Sequence, residues 1–192
     1  PFWWAACNGR REVIDFLFDQ FKGKKLKTFL LQKDKEGRSI FFIAASHGHI
    51  ETFLCLYSAS LKLKVWEERD LRDLIKKEKN TQGKTSFLLA AQNGYVDIVR
   101  FFLDRELASI WDRDRQGKTA LILAAEKGHI EVGKLLCNKG NSFADFLDYD
   151  SPKLCPLVQA AINGQLNIIK ALYSGKEVSD TLTFSVKRDA DN

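Results

Sequence analysis

Five times along the chain a pair of alanines is followed, after two intervening residues, by a glycine. The sets are Ala5-Ala6 with Gly9, Ala44-Ala45 with Gly48, Ala90-Ala91 with Gly94, Ala124-Ala125 with Gly128 and Ala160-Ala161 with Gly164. Successive glycines lie 39, 46, 34 and 36 residues apart. Self-similarity at this period predicts stacked units, because one helix pair cannot bury its own apolar flank. The stretch from Asp114 to Val132 shows what a unit contains. Asp114-Arg115-Gln116-Gly117 suits a tight turn: the aspartate can accept from backbone ahead of it, and glycine tolerates positive φ. Thr119 is a helix N-cap. The alanine pair lets a short first helix approach its neighbours, and Gly128 ends that helix in the left-handed conformation. A second helix then carries apolar residues at helical spacing, as in Val96, Val99, Phe102 and Leu103. Asp34 to Gly37 repeats the turn, and Ser39 and Thr85 repeat the cap.

These units resemble ankyrin repeats. Gly37-Arg38-Ser39 through Glu51, Gly83-Lys84-Thr85 through Asp97 and Gly117-Lys118-Thr119 through Glu131 carry the likeness. Cys155-Pro156-Leu157-Val158-Gln159-Ala160-Ala161 through Asn167 is a weaker copy, and residues 1–18 begin inside one. The resemblance implies an all-α solenoid of helix-turn-helix units with β-turn fingers. It assigns residues 1–175 to repeats at about 1–33, 34–79, 80–113, 114–147 and 148–175, with 176–192 as a C-terminal cap or tail. Because Pro1 falls within a repeat, the chain is expected to be a piece of a longer protein.

Helical insertions are expected after the first and second repeats. In the first, Leu26, Phe29 and Leu30 fall at helical spacing. In the second, Phe53, Tyr57, Leu61 and Val65 predict a long second helix, and Glu67 to Lys77 an extra one supported by Glu68/Arg72 and Asp73/Lys77 pairs. They read as additions to the back of the array, the alternative being a dedicated docking element. Beyond Gly175, Leu182, Phe184 and Val186 alternate with polar residues, giving either a strand-like arm or a disordered end.

The chain departs from the family pattern where Thr-Pro-Leu-His usually opens the first helix. The His position holds Trp3, Phe42, Leu88, Ile122 and Val158, so apolar contact is expected to replace a polar network there. Trp3 and Trp4 read as core residues of an internal repeat, left uncovered by truncation or shielded by residues preceding Pro1. Gly133, inside a second helix, predicts close backbone packing.

With 45% hydrophobic and 29% charged residues the chain is globular in composition, and no apolar run is long enough to span a bilayer. Its net charge of +5 is concentrated. Residues 19–38 hold seven Lys or Arg against three acids, and residues 61–84 hold eight against five. Such excess can attract nucleic acid or anionic lipid, although acids are interleaved and no aromatic-plus-basic binding motif appears. Cys7, Cys55, Cys137 and Cys155 lack the close pairs of a zinc site, so a reducing, cytoplasmic compartment is expected.

No catalytic or nucleotide-binding motif is present, and no enzyme activity, cofactor or metal is expected. His47 and His49 form a His-x-His, but both belong to the repeat grammar, and His49 occupies the slot of His129. Cys55, Cys137 and Cys155 read as core, and Cys7 as the exposed end of a first helix.

The resemblance implies a concave face made from finger tips and exposed first-helix ends, used to hold a partner protein or peptide. Residue by residue, this face takes Lys35, Glu36, Arg38, Ser46 and His47 from the second repeat. It takes Thr81, Gln82, Lys84, Gln92 and Asn93 from the third, and Arg115, Gln116, Lys118, Glu126 and Lys127 from the fourth. Cys7, Asn8, Ile162 and Asn163 extend it at either end. Basic residues outnumber acids in the set, which points to an acidic or phosphorylated peptide. The competing readings are a basic adaptor for nucleic acid or anionic membrane, and a regulatory segment for an enzyme or channel domain elsewhere in a longer chain.

Overall fold

The computed structural model describes residues 1–21, 23–140 and 155–174. Among these residues the elements are all helices. In order they are α1 (Phe2–Cys7), α2 (Arg11–Gln20), α3 (Gly23–Leu31), α4 (Ile40–Ser46), α5 (Ile50–Lys62) and α6 (Glu68–Lys77). There follow α7 (Ser86–Gln92), α8 (Val96–Asp104), α9 (Ala120–Lys127), α10 (Ile130–Lys139), α11 (Pro156–Ile162) and α12 (Leu166–Ser174). The alternating pattern at Leu182, Phe184 and Val186 lies outside the described residues.

The first helices α1, α4, α7, α9 and α11 pack in sequence, each on the next. Their alanine pairs make this approach possible: Ala6, Ala44, Ala45, Ala90, Ala91, Ala124 and Ala125 are fully buried. Helices of six to eight residues are not stable alone, so this packing is what holds them. Behind them α2 packs on α5, α8 on α10 and α10 on α12. Between α5 and α8 the contact is aromatic, with the Phe53 ring 5.6 Å from Phe101 and 5.3 Å from Phe102. Phe42, Leu88 and Ile122 are buried, as expected for apolar groups standing where the family usually has histidine. Gly133 is buried within α10.

Ser39, Thr85 and Thr119 cap α4, α7 and α9, each side-chain oxygen accepting from the backbone N–H three residues on. Gly94 and Gly128 adopt φ of 80° and 76°, the left-handed ends expected of the first helices. Space as well as φ requires glycine there. A Cβ at Gly94 would lie 2.5 Å from Nδ1 of His129, the residue that precedes α10 in the next unit.

Both insertions are helical. Leu26 and Leu30 of α3, and Leu71 and Ile75 of α6, are buried in the common core. α5 is long, at 13 residues, but stops at Lys62, and Val65 reaches the core through a turn in which Lys64 takes φ 50°. On α6 the Lys77–Asp73 pair forms at 2.8 Å. Arg72 reaches across to Glu106 at 3.1 Å, not along the helix to Glu68.

One buried carboxylate joins insertion to repeat. Glu78, just past α6, accepts from the Ser39 N–H at 2.6 Å and from the Ser39 hydroxyl, with Lys33 3.5 Å away. The same Ser39 oxygen accepts from the Phe42 N–H. Glu78 therefore extends the α4 cap across more than one unit of sequence, and only 4% of its side chain is exposed.

Candidate functional site

Three fingers share one backbone lock. In the second repeat Asp34 Oδ1 accepts from the N–H groups of Glu36 and Arg38 at 2.9 and 2.8 Å. In the fourth, Asp114 Oδ1 does the same for Gln116 and Lys118. In the third, Asn80 takes the role, accepting from Gln82 and Lys84 at 3.0 and 2.9 Å. The Asp-x-x-Gly pattern does not include this asparagine, although its amide oxygen serves equally. Main-chain bonds close each loop, from Gly37 to Asp34, Gly83 to Asn80 and Gly117 to Asp114. Fingers three and four are also stitched together: the Arg115 N–H donates to Gln82 O at 3.3 Å, and its guanidinium to Thr81 O at 2.6 Å.

Burial works to raise the Asp34 pKa. The Arg38 backbone and side chain, the Glu36 N–H and the Arg38 charge outweigh it and hold the carboxyl below its usual value. Arg38 is thereby occupied, with Asp34 at 2.6 Å and Glu36 at 3.2 Å. In the next two repeats the finger base reaches back to the end of its own first helix. Lys84 donates to the Gln92 side chain at 2.7 Å, and Lys118 pairs with Glu126. Sequence separation alone gave no reason to couple residues eight apart in this way.

The other expected face residues divide by exposure. Lys35, Glu36, His47, Thr81, Gln82, Asn93, Arg115, Gln116 and Lys127 are exposed. Lys35 and Lys127 form no ion pair among the described residues. Ser46 corrects the expectation of an exposed helix end: it is buried, and its hydroxyl donates to Ile43 O at 3.1 Å. Its carbonyl accepts from the Asn93 amide at 3.3 Å. The carbonyls of Cys7 and Gln92 hold the same repeat position and accept from Nε2 of His49 and His129, at 3.0 and 2.9 Å. These histidines thus join units, the structural part the repeat grammar assigned to them. His47 donates Nδ1–H to Ile43 O at 2.9 Å.

An open cleft of about 790 Å³ lies between α1 and the finger of the second repeat, lined by Pro1, Trp3, Trp4, Lys33, Lys35 and Arg38 among others. The two indoles meet edge to face at 5.2 Å. Trp4 is 69% exposed, and the buried Trp3 Nε1 has no acceptor. Of the cysteines, Cys55 is buried and Cys7, Cys137 and Cys155 are half-buried, and none is in a disulfide among the described residues. Burial, then hydrogen bonding to Asp15 and its charge, push the Cys55 thiol up to about 12, which leaves it unreactive.

The family model described as "Ankyrin repeats (3 copies)" matches residues 66–146 and, in a second placement, 87–182. With more than half the chain matched and the helix pairs stacked as above, the protein belongs to the ankyrin-repeat family. Repeats of this family serve in general as protein–protein interaction modules and are typically non-catalytic. No curated protein matches the chain. Among the described residues no helix is long and apolar enough to cross a membrane.

Proposed function

We propose that this protein is a non-catalytic module that holds a partner protein along its fingers, and that the partner offers an acidic or phosphorylated segment there. The observation that carries the reading is the division of labour within the fingers. Their backbones are locked by Asp34, Asn80 and Asp114, while Lys35 and Lys127 form no ion pair or side-chain hydrogen bond among the described residues. Pre-set loops with spare charge lower the ordering cost of binding and add long-range attraction. Lys84 and Arg115 add to the field, because their partners are a neutral amide and a carbonyl. Cysteines outside disulfides suit a reducing compartment, and on this reading the module works within a larger scaffold or effector.

The test is binding to an array of acidic, phosphorylated, neutral and basic peptides, followed by titration of the best binders. Acidic or phosphorylated peptides should lead. Joint Lys35→Glu and Lys127→Glu reversal should weaken them more than about tenfold and flatten their salt dependence. Unchanged affinity in the double variant would remove the fingers as the binding face.

A further inference from the structure

We propose that the two insertions together form a lysine-rich edge that docks the protein on a membrane surface carrying anionic lipid, separately from the finger face. The sequence places these lysines far apart, in α3 and in the turn after α5. The structure joins them through one contact, with Lys27 Nζ lying 5.9 Å above the Trp66 ring. Trp66 is itself backed by Phe41 at 5.8 Å, so the junction is part of the core and not a loose loop. Lys24 and Lys25 lie on the α3 side of that contact, Lys62 and Lys64 on the other, and all are exposed.

None of these five lysines forms an ion pair among the described residues, although cations on the repeats do. Arg11 meets Glu51, Arg38 meets Asp34, Lys118 meets Glu126, and Lys139 meets Asp104. In place of carboxylates, Lys25 and Lys27 lie over aromatic faces, Lys25 at 5.2 Å from Phe21. Cation–π contact positions a charge without cancelling it. The edge therefore presents lysines with no ion-pair partner among the described residues, and such unpaired cations attract polyanions.

Two features favour a lipid surface over a nucleic acid. Leu31 and Leu63 are 44% and 43% exposed, and Leu63 stands between Lys62 and Lys64. An apolar knob flanked by cations suits the headgroup boundary, where lysine stems lie along apolar surface with the ammonium among phosphates. A duplex has phosphate for the lysines, but it accepts a projecting leucine only by unstacking a base step, at a cost of about a few kcal/mol. The five cations are also all lysine, which meets phosphate as a point charge and lacks the planar fork that reads bases.

The experiment is co-sedimentation of the full chain with phosphatidylcholine vesicles, with and without phosphatidylserine, beside titration with mixed-sequence RNA. Binding should require phosphatidylserine and fall as salt rises. Replacing Lys24, Lys25, Lys27, Lys62 and Lys64 by Gln should reduce it more than about tenfold, with the helical circular dichroism unchanged. Leu63→Ser should weaken vesicle binding several-fold and leave any RNA binding alone. Absence of phosphatidylserine-dependent binding would overturn the proposal, as would its persistence in the five-lysine variant. RNA binding without vesicle binding would assign the edge to nucleic acid instead. Lys35→Glu with Lys127→Glu should leave vesicle binding untouched, which keeps this result apart from the finger test.

Discussion

Lys118 rests against Glu126 and Arg38 against Asp34, whereas Lys24, Lys25, Lys27, Lys62 and Lys64 meet no carboxylate among the described residues. On the fingers most charge is fixed by the fold: its geometry is set, and only a remainder at Lys35, Lys84, Arg115 and Lys127 is left for a partner. On the insertion edge nearly all of it is left over. Fixed groups suit recognition of a shaped surface at contact distance. Loose, unpaired groups act over about a Debye length, roughly 8 to 10 Å in physiological salt, and require little of the partner's shape. Equal numbers of lysines can thus serve two kinds of binding, and the ion pairs decide which.

Glu78 is where the two regions meet, and breaking it should have the largest effect. Its carboxylate holds the Ser39 N–H and hydroxyl at the start of α4 and faces Lys33 from the insertion side. Glu78→Ala removes hydrogen bonds to a buried charge and leaves the Ser39 N–H without an acceptor. The expected cost is about 3 kcal/mol, read by urea unfolding. A loss below about 1 kcal/mol would mean that insertion and repeat are not coupled through this group. Next in size is the pair on the fingers. A double-mutant cycle on Lys118 and Glu126, only 24% and 15% exposed, should give about 1 kcal/mol of coupling. Zero coupling would put Lys118 with the unpaired lysines and erase the contrast.

Acid sharpens the same comparison within the fingers. The Asp34 pKa is depressed, so its contribution is present above the unfolded value of about 3.9 and is lost as pH falls through the folded one. Stability should therefore decline below about pH 4, and Asp34→Asn should flatten that decline. Asn80 shows that an amide oxygen holds the turn by itself. The substitution should thus cost well under about 1 kcal/mol at neutral pH, since only the Arg38 pairing is lost. An unaltered acid limb in the variant would shift the effect to another carboxylate.

How far the sequence discloses this arrangement depends on the range of the interaction concerned. Turns, caps, alanine pairs and glycine ends act within a few residues, and the repeat makes each visible several times over. The insertion helices were legible from the spacing of Leu26 with Leu30 and the charge pattern of α6. Contacts between units were not. Nothing local assigns Glu78 to Ser39, or Arg72 to Glu106 over Glu68. Lys27 above Trp66 requires knowing that α3 and the turn after α5 adjoin. Ser46 was misplaced for a related reason: a serine at a helix end is usually wet, but here the next unit covers it and Asn93 takes its carbonyl. The face itself was legible as a list of positions. Which of its charges are spare was not, because pairing depends on side-chain reach and not on spacing.

The smallest expected effect is also the clearest test of the contrast. Changing Lys24, Lys25, Lys27, Lys62 and Lys64 to Gln together removes five charges, yet no carboxylate among the described residues loses a partner. What is lost is two cation–π contacts at exposed sites, each about 0.5 to 1 kcal/mol at most. What is gained is relief of repulsion among like charges on one edge, of similar size and opposite sign. The sum should lie within about 0.5 kcal/mol of zero, and the midpoint of thermal unfolding should scarcely move at moderate salt. At low salt, where repulsion is screened least, the variant should become the more stable of the two. A loss beyond about 1 kcal/mol would show that these lysines hold the insertions in place. They would then belong with Arg38 and Lys118 as structural charge, and the edge would have none to spare for a membrane.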